Sequence, residues 1–445
     1  MHDFSARLTP SFMEGLLLLV NSISDTALAV EGPGCLRTKM LRVFRNHDLQ
    51  SNLYDPSGNH RVASNDRGPA RVMGSLGPLV SLIRKMTEQL QPGALLVAPF
   101  ASQQAMGADL DKALREAAVP DSCSCVTLAN DGLDGDWLDG WAQALAALAR
   151  SLPLVATTSP GAVTIVGNSF WRNEGDSMAD VQELERLVSG LGLQAVSVWT
   201  KGADTGHLAR AGASSVVASL PFATEAAAAL ADRTGATLVP LPLPVGLEAT
   251  GQFVSKLAAA TGQEERAEAL IRKESARTIH AVKTALALHS DDINVGVLAD
   301  PYTAAGLTDC LEQLGFAVPL VGVLRVAGRY STSEVLSGKR VLVDPSFSTW
   351  EEELKVAAVK EEVQVVVGSG LSDVACHKAN VELVEIGYPC HLSHFLTPAP
   401  LLGYSGVVCL TERIINAYAR QLARQQMDVA AGWYGIAEDK SGDNG

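Results

Sequence analysis

The chain has 445 residues, of which 47% are hydrophobic and only 5% aromatic, and its formal net charge is −14. A chain of this length exceeds what one hydrophobic core accommodates, so we expect two to three domains built from layers rich in Ala, Val, Leu and Gly. The acidic balance disfavours a nucleic-acid partner, which requires a basic surface, and no apolar run is long enough to predict a membrane partner.

The first part of the chain alternates between helical and strand patterns. Residues 46–68 interrupt this alternation with polar, turn-rich sequence, which we interpret as an excursion or a docking loop. Apart from that stretch, the succession is typical of a parallel sheet covered by helices. The predicted helices are 12–21, 36–44, 78–90, 109–118 and 137–151, and the predicted strands are 27–30, 94–98 and 125–128.

The remainder of the chain repeats the alternation twice. Its longest predicted helix, over residues 264–289, is long enough to link two lobes. The other predicted helices are 180–189, 224–234, 252–260, 302–314, 350–359 and 407–425. The predicted strands are 163–168, 195–199, 215–218, 238–243, 293–298, 319–326, 340–343, 363–367 and 381–386.

These patterns predict an α/β fold of three Rossmann-like domains, each with a parallel sheet covered by helices. We place an N-terminal domain at residues 1–155, a middle domain at 156–290 and a C-terminal domain at 291–430. Residues 431–445 are predicted to form a disordered tail, because their end is acidic and rich in glycine.

The glycines at the strand ends do not match a nucleotide-binding motif. The sequence contains no G-x-x-x-x-G-K-[ST], and no predicted strand is followed by G-x-G-x-x-G. We therefore interpret these glycines as residues that allow tight strand-to-helix turns, and we expect any ATP hydrolysis to occur in another chain.

Seven cysteines are scattered along the chain, an odd number that does not suggest a disulfide framework. The first ten residues carry charges and lack the apolar segment of a signal peptide. Both observations favour a cytoplasmic protein.

The turn Glu31-Gly-Pro-Gly-Cys35 follows the first predicted strand and holds the first cysteine. Gly32 and Gly34 allow a tight turn that brings a thiolate and backbone N–H groups to one point, as an iron–sulfur ligand requires. The same turn would also serve as a strand-to-helix connection that contains a small buried cysteine. The residues alone leave both interpretations open.

Two further groups have metal-ligand chemistry. Cys123 and Cys125 stand two residues apart at the start of a strand, a spacing that points their thiols to the same face. Cys390, His391 and His394 lie within five residues of one another in a loop. For the first pair the alternative is a pair of buried structural cysteines, and for the second group it is loop packing or interface contacts.

Three separated stretches together resemble the nitrogenase component 1 family, in the right order and across residues 10–420. The Cys35 turn resembles the family's cluster-ligand turn, and the stretch Pro242–Phe253 resembles its Pro/Gly/Thr-Phe signature. The segment from Gly387-Tyr-Pro389 to Gly403-Tyr-Ser-Gly406 is similar to its C-terminal G-[FY]-P…G-Y-x-G stretch. The resemblance implies a heteromeric component that receives electrons from a separate, ATP-hydrolysing iron protein through an iron–sulfur cluster between two related chains.

Departures from the family pattern predict which chain this is. Family chains that hold the full interfacial cluster supply three cysteines each, but here Ser11 stands in the region of one and Ala101 at the position of another. Only Cys35 is carried over, so the resemblance implies a cluster with one thiolate from this chain and three from the partner. A 4Fe-4S cluster fits this better than a complete P-cluster-like one, and the partner could hold a larger iron–sulfur cofactor.

We therefore predict the β-like subunit of a nitrogenase-like two-component reductase, paired with a homologous α-like subunit as a heterodimer or α2β2 heterotetramer. The main alternative is the smaller chain of a cofactor-assembly scaffold, which resembles this one-cysteine pattern. A periplasmic-type or nucleotide-sugar binding protein is disfavoured because signal-peptide and phosphate-loop sequences are lacking.

The basic segment from Arg37 to Arg45 would either steer the iron protein or form a solvated helix face. No residue of the chain is a convincing acid, base or nucleophile.

Overall fold

The computed structural model describes residues 7–32, 34–51, 53, 60–65, 76–129, 135–331 and 336–433. Within these ranges it excludes the side chains of residues 35–37, 39–40, 43, 45, 425 and 427–433. Three parallel sheets follow one another along the chain, and helices cover them. The predicted α/β fold class is confirmed.

The first sheet has the strand order β2-β1-β3-β4. Its central strands β1 and β3 are buried along their whole length, which explains their uninterrupted apolar sequences. The strands are β1 (Thr26–Glu31), β2 (Val62–Ser64), β3 (Ala94–Pro99) and β4 (Ser124–Thr127). The helices are α1 (Phe12–Asn21), α2 (Gly34–His47), α3 (Gly77–Leu90), α4 (Ala101–Ala105), α5 (Leu110–Ala117) and α6 (Trp137–Ser151).

The second sheet has the order β6-β5-β7-β8. Its strands are β5 (Ala162–Val166), β6 (Gln194–Trp199), β7 (Val216–Ser219) and β8 (Thr237–Pro240). Its helices are α7 (Gly175–Gly190), α8 (Thr205–Ala209), α9 (Thr224–Thr234) and α10 (Leu247–Ala259), followed by α11 (Glu264–His289). With 26 residues, α11 leads into the third sheet, as its length predicted.

The third sheet has five strands in the order β11-β10-β9-β12-β13. They are β9 (Asn294–Ala299), β10 (Ala317–Val323), β11 (Val341–Val343), β12 (Val363–Gly368) and β13 (Glu382–Glu385). The helices are α12 (Pro301–Gln313), α13 (Phe347–Lys360), α14 (Asp373–Ala379) and α15 (Gly403–Trp433). The closing helix α15 runs back along α11 and also contacts α7, so it ties the middle and C-terminal sheets together.

The order of the first sheet places the Cys35 turn. Strand β1 pairs with β2 on one side and with β3 on the other, and Glu31 lies opposite Pro99. The segments that follow β1 and β3 therefore leave the same carboxyl edge, where open α/β sheets form crevices between diverging connections. Gly32 and Phe100 are neighbours for this reason.

Several short elements were not predicted. Residues 62–64, expected within the polar excursion, instead add β2 to the sheet, with Val62 paired to Leu28. Val62-Ala-Ser64 stands within polar sequence, so no apolar run marks it, whereas the equally short β11 is entirely apolar and matches a predicted strand. The five-residue helices α4 and α8 are too short to show a helical period. The last helix continues to Trp433, three residues into the predicted tail, and residues 434–445 lie outside the described part of the chain.

A single hydrophobic core cluster contains residues of all three sheets, including Leu28, Val163 and Val295. The three predicted domains therefore share packed surface, and the boundaries at 155/156 and 290/291 stay predictions. No helix in the described ranges combines the length and the apolar character needed to cross a membrane.

Candidate functional site

The turn after β1 is fixed by contacts at the carboxyl edge of the first sheet. The Phe100 N–H donates to the Glu31 carbonyl at 3.0 Å, and the Asn65 amide donates to the buried Glu31 carboxylate at 2.8 Å. A Cβ on Gly32 would lie 1.8 Å from the Phe100 ring, so only glycine fits there. These contacts fix where β1 ends and where α2 begins.

Cys35 is the second residue of α2, so its backbone lies in the first helical turn. The predicted turn is thus shorter than expected, since the helix already begins at Gly34. The Cys35 side chain and Pro33 lie outside the described residues. The sequence assignment of Cys35 as a ligand stays a prediction.

The positions where the family pattern would have further cysteines lie at helix starts. Ala101 is the first residue of α4 and follows β3 at the same edge as the Cys35 turn. Ser11 precedes α1, and its N–H donates to the Glu14 carboxylate at 2.7 Å, which caps that helix. Across the described side chains, no group of three or more His, Cys, Asp or Glu is arranged to hold a metal ion.

The C-terminal end of α2 joins all three sheets through His47. The buried Nδ1 accepts the Cys390 N–H at 3.0 Å, so the proton must be on Nε2, which donates to the Trp171 carbonyl at 3.1 Å. The Tyr388 ring packs edge-on against the imidazole, with ring centroids 4.8 Å apart. Burial, and then the Arg172 charge, lower the pKa of His47 to about 4. Only a neutral imidazole can accept a hydrogen bond at Nδ1 and donate one at Nε2, so His47 is neutral here.

Arg172 lies beside His47 and is fully buried. Its guanidinium donates to the Asp176 carboxylate from Nε at 2.9 Å and from Nη2 at 2.7 Å. Its Nη1 donates to the carbonyls of Ser393, at 2.9 Å, and His47, at 3.3 Å. One side chain thus connects segments that belong to the three different sheets.

We call the contact region of His47, Arg172, Glu174 and Glu385 the junction. Glu174 is its second buried charge and precedes α7. Its carboxylate accepts the N–H groups of Leu49 and Phe395, each at 3.0 Å, and lies 2.9 Å from His394 Nδ1. Arg172 Nη1 is 3.5 Å away and balances its charge. The carboxylate is consequently saturated by contacts within this chain.

The loop that contains Cys390, His391 and His394 is held by main-chain hydrogen bonds. Glu385, at the end of β13, accepts the N–H groups of His391 at 2.7 Å and Leu392 at 2.8 Å. The Cys390 thiol is fully buried and donates to the Gly387 carbonyl at 3.4 Å, and burial raises its pKa. Among the described side chains these residues belong to no group of three or more possible metal ligands. The main-chain hydrogen bonds agree with loop packing, one of the alternatives that the sequence left open.

His391 and His394 also line a cavity of about 640 Å³ together with Asp48. The Asp48 carboxylate already accepts the side-chain amides of Asn21, at 2.7 Å, and Asn173, at 3.0 Å. The side chains of Asp48 and His394 are therefore committed to hydrogen-bond partners, whereas the buried His391 Nδ1 makes no hydrogen bond to any described residue.

The Pro242–Phe253 signature stretch and the C-terminal one meet at the start of α15. The Gly403 N–H donates to the Pro244 carbonyl at 2.7 Å, and Gly403 has a φ of +69°. A Cβ at Gly403 would lie 2.3 Å from the Glu183 side chain. Asp180 accepts the N–H groups of Leu401 and Leu402 at 2.7 and 2.8 Å, and burial raises its pKa to about 7. The signature residues therefore form a structural joint between the middle and C-terminal sheets.

Sequence reasoning missed the residues of the junction, namely His47, Arg172, Glu174 and Glu385. They are far apart in sequence and belong to no short motif. The one available signal was the polar run Arg172-Asn-Glu174, which follows the buried strand β5 and precedes a helix. Charged residues in that position often cap the helix that follows.

Comparisons with known proteins define the class of this chain. The sequence profile described as "Nitrogenase component 1 type Oxidoreductase" matches residues 12–419. The chain therefore belongs to the nitrogenase component 1 family.

The similar relatives include nitrogenase molybdenum–iron protein beta chains. That of Bradyrhizobium diazoefficiens is 21% identical over 411 residues, which cover 84% of this chain and 77% of the relative. That of Acidithiobacillus ferridurans is 20% identical over 425 residues, which cover 87% of this chain and 79% of the relative. The match to that of Frankia alni is 27% identical but spans only 42% of this chain and 36% of the relative.

The fold is also similar to that of solved nitrogenase structures. The solved structure "Nitrogenase Cp1 at pH 6.5" superimposes with a TM-score of 0.78 at 17% identity and covers 95% of this chain and 94% of that chain. A second structure, "Nitrogenase Cp1 at pH 5", gives a TM-score of 0.70 at 12% identity, with 94% and 90% covered. At this identity the likeness establishes the fold.

Proposed function

We propose that this chain is the β-like subunit of a nitrogenase-like two-component reductase. It would share an interfacial iron–sulfur cluster with an α-like partner, and electrons from an ATP-dependent iron protein would pass through that cluster towards an active site in or near the partner. The observation that carries the proposal is that Cys35 lies in the first turn of α2. This turn is at the edge of the sheet where the connections that follow β1 and β3 diverge. The match to the family over residues 12–419 supports it.

At this edge of the sheet, this chain offers one residue that could bind an iron–sulfur cluster. Cys35 supplies one thiolate, while Ala101 and Ser11 stand where the family pattern has others. Gly32 and Gly34 have no side chains, so that their own N–H groups can approach a bound cluster. When bound, an iron–sulfur cluster supplies one-electron transfer. This chain alone lacks the remaining ligands, so we expect a heterodimer or an α2β2 heterotetramer.

Helix α2 is also the proposed contact region for the iron protein. It begins at the cluster turn, and its described side chain Arg42 is exposed. The side chains of Arg37, Lys39 and Arg45 lie outside the described residues. A short basic stretch in an otherwise acidic chain would attract an acidic partner surface and accelerate encounter.

Removing the Cys35 thiol tests the ligand role. The chain is co-purified anaerobically with its partner, and iron content and the EPR spectrum of the reduced complex are measured. We expect Cys35→Ala to lose the interfacial iron and its signal. The control Cys409→Ala, which removes a half-buried thiol on α15, is expected to retain both. Unchanged iron and an unchanged signal in Cys35→Ala would contradict the proposal.

Turnover then separates the reductase from the assembly scaffold. A reductase complex consumes ATP through the iron protein and reduces a substrate over many cycles. A scaffold that holds a maturing cluster shows no sustained turnover and instead releases its cluster to an acceptor protein. Sustained ATP-dependent substrate reduction by the complex supports the subunit proposed here, and cluster release without turnover supports the scaffold.

A further inference from the structure

A pair of cysteines lies at the opposite edge of the first sheet from Cys35. The Sγ atoms of Cys123 and Cys125 are 3.7 Å apart, and both side chains are half-buried. Cys123 precedes the outer strand β4, and its N–H donates to the Pro120 carbonyl at 3.0 Å. Because Cys35 follows a strand and Cys123 precedes one, the two sites face opposite ends of a parallel sheet.

A cavity of about 790 Å³ adjoins the pair, and Cys123 lines it together with Asp25, Arg84 and Glu88. The Arg84 guanidinium donates to the main-chain carbonyls of Ala117, at 3.2 Å, and Glu116. The Asp25 carboxylate accepts the N–H and the hydroxyl of Thr205, at 2.8 and 2.6 Å, and Glu88 balances the charge of Arg84 across the cavity. The negative charge that attracts a metal ion is therefore supplied by the two thiols when they lose their protons.

We propose that Cys123 and Cys125 chelate one thiophilic divalent metal ion, of which zinc is the representative. A tetrahedral ion with metal–sulfur bonds of about 2.3 Å separates two of its sulfur ligands by about 3.8 Å. The observed separation of 3.7 Å already matches that edge. Binding releases the thiol protons to solvent as the two metal–sulfur bonds form.

In the structure the two thiols are in hydrogen-bond contact, and chelation keeps their 3.7 Å separation, whereas a disulfide requires the sulfur atoms to approach to about 2.05 Å. The described side chains offer no third protein ligand. We expect water or a small solute ligand to complete the coordination from the cavity that Cys123 lines, as in open metal sites.

Protection from alkylation tests the proposal without any mutation. The complex of this chain with its partner is treated with iodoacetamide in the presence and absence of equimolar Zn²⁺, and alkylation of each cysteine is followed by peptide mass spectrometry. Since only the free thiolate reacts, bound zinc is expected to slow alkylation at Cys123 and Cys125 at least about tenfold. Cys409, a half-buried thiol elsewhere, is expected to react at the same rate in both conditions.

Metal counting provides the second measurement. The wild-type complex is expected to take up one additional zinc per chain, which Cys123→Ser and Cys125→Ser each lose and Cys409→Ser retains. Uptake that persists in both variants, or equal protection at Cys409, would refute the site. A Cys123–Cys125 disulfide in anaerobically isolated protein would also refute it, in favour of a redox pair. Failure of any of these leaves the Cys35 proposal untouched, because the two sites share no residue.

Discussion

The junction around His47 and the sheet edge around Cys35 differ in what this chain contributes to each. In the junction, Glu174 accepts two backbone N–H groups and contacts His394, and both ring nitrogens of His47 are bonded. At the edge, Cys35 and Ala101 stand in the first turns of α2 and α4, and the ligand role of Cys35 is a proposal that rests on the family pattern. Histidine and carboxylate side chains of the junction thus have structural partners within this chain, and their residue types alone do not indicate a metal site.

Removing Arg172 should break the junction with the largest effect. Arg172→Met leaves the carboxylates of Glu174 and Asp176 without their buried cation, so we expect a loss of about 3–5 kcal/mol in the free energy of unfolding. The matched variant Arg150→Met removes an exposed ion pair with Glu225 and should lose less than about 1 kcal/mol. Urea unfolding followed by tryptophan fluorescence measures both. Equal midpoints for the two variants would show that the junction is not held by this charge.

The second largest loss in the free energy of unfolding is expected at the start of α15. Gly403→Ala adds a Cβ at positive φ and against Glu183, so we expect a loss of about 2–4 kcal/mol. Gly235 also has a positive φ, of +70°, but a Cβ there would meet nothing within 4 Å. Gly235→Ala therefore isolates the conformational strain and should lose about 1 kcal/mol. If both alanine variants lose the same amount, close packing at Gly403 is not important.

Acid should weaken the junction through His47. Its pKa of about 4 in the folded chain lies below the ordinary value of 6.5, so the unfolded state takes up the proton first as pH falls. The stabilisation is fully present above pH 6.5 and is lost between about 6.5 and 4, by at most about 3 kcal/mol. His47→Gln should flatten this part of the stability profile, whereas His280→Gln, at an exposed position, should not. A profile unchanged by His47→Gln would contradict the joint described here.

The smallest effects on stability are expected for two cysteine variants, one in the junction and one at the sheet edge. Cys390→Ala removes a buried thiol and should lower stability by about 1 kcal/mol while interfacial iron is retained. Cys35→Ala should show the reverse, with iron lost and the stability of the isolated chain changed by less than about 0.5 kcal/mol. Iron content and thermal unfolding of the same two variants measure this. A loss of iron in Cys390→Ala would mean that the junction, too, has a role in the cluster.

The sequence was informative where one local pattern decides the structure. Residues 27–30 of β1 are all apolar, as expected for a strand buried on both faces, and α6 has a helical apolar period with Asp136 capping its start. Strand β2 escaped prediction because it stands within polar sequence and no apolar run marks it. The junction escaped because His47 and Cys390 are 343 residues apart, and no pattern in one sequence connects them. The ligand role of Cys35 stays a prediction that rests on the resemblance to a family.

The long separation between His47 and Cys390 also has a consequence for biosynthesis. The turn with Cys35 leaves the ribosome early, but the bond that fixes the end of its helix needs residue 390. Contacts between distant segments form slowly, and domains of large proteins fold in order of synthesis. The helix after the cysteine therefore receives its final anchor only after about seven-eighths of the chain has been made. Partner association and cluster insertion are accordingly expected to follow translation rather than accompany it.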